Sequence, residues 1–226
     1  MDAPVESDAV PDRINGVYVS NIEKLLTVLQ LRVLKVLDAH RFFEEHTRMR
    51  NRIGSNNLTE ALSHMGRIAE SAHEMTEEQQ REQITHLEDH LRRTMMESFE
   101  LVARARLGRL RKDGIVERYQ TQVVPLALRG KLPNIKPLEE IEALERDTRH
   151  WMEEGRKRKH HHRWEDWDHG AECLAKACES ANELDSEMRK SVGAAQDYRR
   201  NQLFMWLAVL ALILAAAGIG VAFALA

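Results

Sequence analysis

The residues best suited to chemistry lie between positions 156 and 169. Arg156-Lys-Arg-Lys-His-His-His-Arg163 packs five permanent positive charges and three histidines into one short run. Arg156, Lys157, Arg158, Lys159 and Arg163 form a candidate basic patch for anionic lipid, nucleic acid or an acidic partner. Acidic stretches flank it on both sides, Glu139 to Glu154 and Glu165 to Glu187, so the run also reads as a solvated turn balanced by its neighbours. His160, His161 and His162 with Asp166, Asp168 and His169 offer donors of the kind zinc or iron accepts. Consecutive histidines point to different sides of a helix, so only a loop could converge them.

Two further constellations have ligand-like spacing. Glu70-Ser-Ala-His73 is a Glu-x-x-His of the type found in di-iron bundles, with Glu44, Glu45 and Glu97 available from other helices. The second Glu-x-x-His of such a centre is missing, and Asp166-Trp-Asp-His169 is a poor substitute, so surface structure is the better reading. His86 and His90 sit one turn apart on one face, which suits a shared ligand or the edge of a bundle. Cys173 and Cys178 fall about 140° apart around a helix and are unsuited to pairing with each other. No nucleophile elbow, phosphate-binding glycine loop, nucleotide fingerprint or metalloprotease signature occurs. The expectation is no catalysis, no metal, no cofactor and no small-molecule substrate.

The stretch that organises the chain is Leu203 to Ala226, 24 residues without a charge. As a helix it spans roughly 36 Å, enough for a hydrocarbon core of about 30 Å with some tilt. Its backbone polar groups would be satisfied internally. Arg189, Lys190, Arg199 and Arg200 precede it, and the positive-inside tendency puts that side in the cytoplasm. The expected topology is a single-pass tail anchor with the amino-terminal domain cytoplasmic. Ala211, Ala215, Gly218 and Ala222 recur at steps of four, three and four, a stripe of small residues that allows close approach of another membrane helix.

The remaining sequence must build what the anchor carries. Charged residues make up 31% and aromatic residues 5%, with five Pro and eleven Gly, a balance of long amphipathic helices rather than sheets. The net charge of −3 gives no global attraction for nucleic acid or anionic lipid. The predicted class is all-α: an antiparallel bundle with a long coiled-coil-like helix leading into the transmembrane helix.

Residues 1–15, acidic and with two prolines, read as a disordered tail. Residues 16–114 read as a three-helix bundle. Its first helix runs from a Ser20-Glu23 capping box to about Arg52, with an apolar face wide enough for at least two neighbours. Gly54 ends it, a short helix follows from Leu58, and a long one runs from a Thr76-Gln79 capping box to Gly114. Short turns favour up-down-up packing. Residues 115–137 hold three of the five prolines and read as a connector. Residues 138–201 read as one long amphipathic helix, interrupted at 156–163, with Gly155 and Gly170 as bending points. If that helix is straight, residue 160 lies about 65 Å from Leu203 and beyond electrostatic reach of the bilayer. Trp151, Trp164 and Trp167 are anchors, a docking surface or, more simply, core.

In layout this resembles syntaxin-type membrane-fusion proteins, in which a three-helix regulatory domain precedes a coiled-coil helix and a tail anchor. That family's coiled-coil helix carries a central glutamine among uninterrupted apolar layers. Here residues 156–170 are basic, histidine-rich and broken by glycines. The function expected is that of a helical protein tethering or recruiting partners at a membrane, assembling as a homo-oligomer. The alternative is a membrane-perturbing or pore-forming effector whose spans assemble on activation.

Overall fold

The computed structural model describes residues 12–160 and 163–224, and the side chains among them except those of residues 160 and 216–224. The class is all-α, with one small hairpin. Its elements are β1 (Arg13–Ile14), β2 (Val17–Tyr18), α1 (Val19–Leu31), α2 (Val33–Thr47), α3 (Arg52–Ser71), α4 (Glu77–Lys112), α5 (Ile115–Arg118), α6 (Val124–Leu128), α7 (Leu138–Lys157) and α8 (Trp164–Ala224). The chain divides into two compact units, Met1–Arg104 with His150–Cys178 and Ala105–Arg149 with Glu179–Ala226.

The first unit opens inside the stretch expected as tail. Asn15 (φ 50°) and Gly16 (φ 81°) form the two-residue turn of an antiparallel hairpin that pairs Arg13 with Tyr18 and Ile14 with Val17. Both central residues need positive φ, which Asn-Gly supplies at least cost. The single first helix expected to run to Arg52 is two helices that meet at Arg32 (φ −111°) and end at left-handed Arg48 (φ 55°). The Ser20-Glu23 box is not used, because Ser20 Oγ donates to Glu77 at 2.7 Å instead. Gly54 terminates nothing. It lies in the first turn of α3, where its N–H donates to the Asn51 cap at 2.9 Å. The Thr76-Gln79 box does form, with reciprocal bonds of 2.8 and 3.2 Å.

Side-chain contacts give the helix directions. His90 meets Glu60, and Asn51 meets Ser98, so α3 runs antiparallel to α4. Ser20 meets Glu77 and Lys24 meets Glu88, so α1 runs parallel to it. Val28, Val36, Ala61, Ile68, Ile84, Leu87, Leu91, Met96, Trp167 and Leu174 form the core. The long helix expected over 138–201 is a hairpin of α7 and α8, broken by a 3-10 turn at Arg158–His160. Gly155 and Gly170 are not bends. Each lies where the two helices touch, since a Cβ on Gly155 would come within 3.0 Å of the Gly170 carbonyl.

The second unit is built around Leu110, Ile115, Tyr119, Val123, Ile141, Leu184, Met188, Val192 and Ala195. Much of the expected connector is helical. Between α5 and α6, Tyr119–Val123 form a π turn in which the Val124 N–H reaches the Tyr119 carbonyl. Pro125 follows, has no N–H to donate and crowds the preceding turn, which the wider π turn relieves.

Among the described residues no helix is long and apolar enough to cross a membrane. The segment expected to do so, Leu203–Ala226, lies partly outside them. Its described part continues α8, and Leu203 to Leu214 are exposed there.

Candidate functional site

The basic run is the first candidate the structure places. Arg156 Nε donates to Glu100 at 2.8 Å, and Lys159 lies 3.4 Å from Glu97 and 3.6 Å from Glu100. Lys157 pairs with Glu154 at 2.9 Å, and Arg158 lies 3.6 Å from Asp166. Arg163 is exposed at the start of α8. Four of the five candidate cations are therefore committed to carboxylates of their own unit, two of which sit on α4. Burial alone would raise the Glu100 pKa; the hydrogen bond from Arg156 and the charges of Lys159, Arg104 and Arg156 outweigh it and hold it below the usual carboxylate value. A buried carboxylate with several donors of this kind stays ionised and fixes the α7 end against α4.

The metal constellations do not assemble among the described residues, where no group of three or more His, Cys, Asp or Glu is arranged to hold a metal. His161 and His162, and the side chain of His160, lie outside the described residues. His73 is turned toward Gly16 of the hairpin, and Glu97 is taken up by Asn57 and Lys159. Both cysteines are buried and not joined in a disulfide, and Cys178 donates to the Phe99 carbonyl at 3.0 Å. Trp151, Trp164 and Trp167 pack within the first unit. Arg92 lies 4.4 Å over the ring of Trp167, Arg32 lies 4.2 Å over Trp164, and Lys176 lies 4.7 Å over Trp151.

His86 and His90 edge the bundle with a partner the sequence did not point to. The His64 ring of α3 stacks 5.2 Å from His86 and 5.3 Å from His90. Glu60 faces His90 at 3.0 Å, Gln83 faces His64 at 2.8 Å, and Glu82 lies 3.6 Å from His86. Desolvation holds the His90 pKa below its ordinary value; Glu60 opposes this, and His64, Arg93 and His86 add to it. A depressed histidine contributes stability that is present above its unfolded pKa of about 6.5 and is lost as pH falls below it. The melting temperature should therefore fall between pH 7.5 and pH 5.5. His90→Gln should flatten that fall, and an equally steep profile in the variant would remove the cluster as its cause.

The feature that sequence reasoning only touched is an apolar surface on the outside of α1 and α2. Leu26, Leu31, Leu34 and Leu37 are 48%, 57%, 66% and 44% exposed. The wide apolar face of this segment was expected to meet two neighbours. It does so through Val28, Val36 and Ala39, which pack into one core with residues of α3, α4 and α8, while the four leucines lie outside that contact. Beside the strip, Ala39, Phe42, Met95, Phe99, Ala171 and Ala175 line an apolar groove of about 370 Å³. Its rim is fixed by Asp168, which accepts from Arg32 at 2.7 Å and from Lys35 at 3.1 Å. Burial would raise the Asp168 pKa, but these two bonds and the charges behind them lower it. Such a surface is of the kind that apolar side chains can occupy.

The small-residue stripe is described in part. Ala211 and Ala215 lie on exposed helix, while the side-chain positions of Gly218 and Ala222 lie outside the described residues. No protein-family model, curated protein or solved structure matches the chain.

Proposed function

We propose that the chain is a non-enzymatic helical protein held at a membrane through Leu203–Ala226, with its helical units in the cytoplasm, where it assembles with its own copies and recruits or tethers partner proteins. The observation that carries this reading is the surface of α8 beyond Gln202. Leu203, Phe204, Trp206, Leu210, Leu212 and Ile213 are all exposed, although they would each gain roughly 1.5–3 kcal/mol by leaving water. An all-round apolar helix surface of that kind is suited to lipid or to other apolar helices. Arg199 and Arg200 stand at its start, and they favour the cytoplasmic side for everything that precedes them.

A second reading is a membrane-perturbing effector. It is favoured by the continuity of α8, one helix from Trp164 to Ala224 that carries buried core residues and the apolar segment together. A rearrangement of that helix in the folded part would be passed to the spans.

Membrane fractionation and light scattering test both. The full chain should resist extraction from membranes, and deletion of Leu203–Ala226 should release it by more than about tenfold, since a buried apolar span is an effectively irreversible anchor. In detergent the full chain should be an oligomer, and Gly218→Ile with Ala222→Ile should reduce its mass if the small-residue stripe contributes. Ion leakage on overproduction, abolished by the same deletion, would move the effector reading ahead. A chain that stays soluble with the segment intact would end both.

A further inference from the structure

The outward side of α1 and α2 has the pattern of a self-complementary surface. Arg32 N donates to the Val28 carbonyl and Val36 N to the Arg32 carbonyl, both at 3.0 Å. One rung thus lies on each side of the junction, while the Val33, Leu34 and Lys35 N–H groups between them make no helical bond among the described residues. Arg32 stays in the right-handed helical region (φ −111°, ψ −39°), so the step of about 100° per residue carries over approximately. On that step Leu26, Leu31, Leu34 and Leu37 share one side with Glu23 at the beginning and Arg41 at the end. Arg41 lies 18 residues beyond Glu23, about five whole turns, so the two charges stand on one line at opposite ends of the leucines. Neither charge belongs to an ion pair among the described residues.

We propose that this face is an interface between two copies of the chain, packed antiparallel about a two-fold axis near Arg32. A pair centred there sets each position against the one equally far on the other side. Glu23 of each copy then meets Arg41 of the partner subunit, and between them Leu26 falls within one residue of Leu37 of the partner subunit and Leu31 within one residue of Leu34 of the partner subunit. A parallel pair would place Glu23 against Glu23 of the partner subunit and Arg41 against Arg41 of the partner subunit, a like-charge arrangement that costs stability at both ends. A lipid surface is a poorer match, because a membrane-lying helix favours a predominantly basic polar border, and here Glu23 and Asp38 stand beside the leucines along with Lys35 and Arg41.

The strip is about 27 Å long, and a single helix pair of that length buries less than the roughly 1,600 Å² of a standard interface. The pairing is therefore weak alone and is strengthened when both copies are held in one membrane, where the effective concentration is high. In that respect the inference rests on the anchored, self-assembling reading above.

Charge reversal tests it on the full chain in detergent, with mass read by light scattering over a concentration series. Glu23→Arg and Arg41→Glu should each weaken self-association by about tenfold, because each creates two like-charge contacts in the pair. The double reversal should restore the wild-type affinity to within about twofold. Leu31→Ser with Leu34→Ser should abolish this association while leaving the circular dichroism and melting temperature unchanged, since both side chains are exposed. Loss in both single reversals without recovery in the double variant would overturn the antiparallel pairing. An oligomer insensitive to all four variants but dissociated by Gly218→Ile with Ala222→Ile would overturn this surface and leave the self-assembling reading standing. A wild-type monomer would overturn both.

Discussion

Gln80→Leu should remove about 3 kcal/mol from the stability of the first unit, a large fraction of the about 5–15 kcal/mol that a folded domain possesses. Gln80 has no exposed surface, and all of its side-chain polar atoms are used. Nε2 donates to the Gly16 carbonyl at 2.8 Å and to the Ala72 carbonyl at 2.9 Å, while Oε1 accepts from the Tyr18 N–H at 3.0 Å. Leucine fills the volume and strands all three backbone groups. Each buried group left without a partner costs about 1–3 kcal/mol, and water reaching the hairpin recovers part of the sum. Urea unfolding measures it as a lower midpoint at unchanged slope. The hairpin should loosen as well, so trypsin should cut after Arg13 faster than in the parent, where Arg13 Nη1 donates to the His73 carbonyl at 3.0 Å. A loss below about 1 kcal/mol would mean that the glutamine is filler rather than a hub.

Gln80 also marks where the sequence stops being legible. A capping box is readable when both halves of the exchange lie within one turn, as with Thr76 and Gln79. Ser20 and Glu23 satisfy the same pattern, but Ser20 has a better acceptor in Glu77, 57 residues away. Nothing local announces that competition. The helical periods of α1, α2, α4 and α8 were visible because the buried stripes repeat at three and four, whereas the break at Arg32 removes only the regularity of a single residue. Asn15-Gly16 was a legible hairpin signal, hidden inside an acidic, proline-containing stretch whose composition argued for disorder. The basic run illustrates the other limit. Its density was plain in the sequence, yet its meaning depends on Glu97 and Glu100, which only the fold brings to it. The wide apolar face of the first helical segment reads as wanting at least two neighbours; α3, α4 and α8 supply them, and Leu26, Leu31, Leu34 and Leu37 are left over as exposed surface.

Gly155→Val should cost about 3 kcal/mol or more, and Gly155→Ala about 1–2 kcal/mol, against the direction that helix propensity alone dictates. Alanine is the better helix former by about 1 kcal/mol, so an open glycine such as Gly66, with nothing within 4 Å of an added Cβ, should gain roughly that amount on substitution by Ala. At Gly155 the added Cβ would lie 2.5 Å from Leu174 Cγ, 2.8 Å from its Cδ2 and 3.0 Å from the Gly170 carbonyl. Leu174 is 1% exposed and has no room to turn away, and the carbonyl belongs to the backbone of α8. The two helices must separate, and valine adds a branch that no rotamer removes. Chemical denaturation of Gly155→Val beside Gly66→Ala reads the opposite signs directly. Separation of α7 from α8 should also draw Arg156 and Lys159 away from Glu100 and Glu97. A preference for anionic over neutral vesicles should then appear in Gly155→Val at low salt and be absent from the parent, whose cations are already paired. An equal preference in both proteins would show that the basic run is available without opening the hairpin.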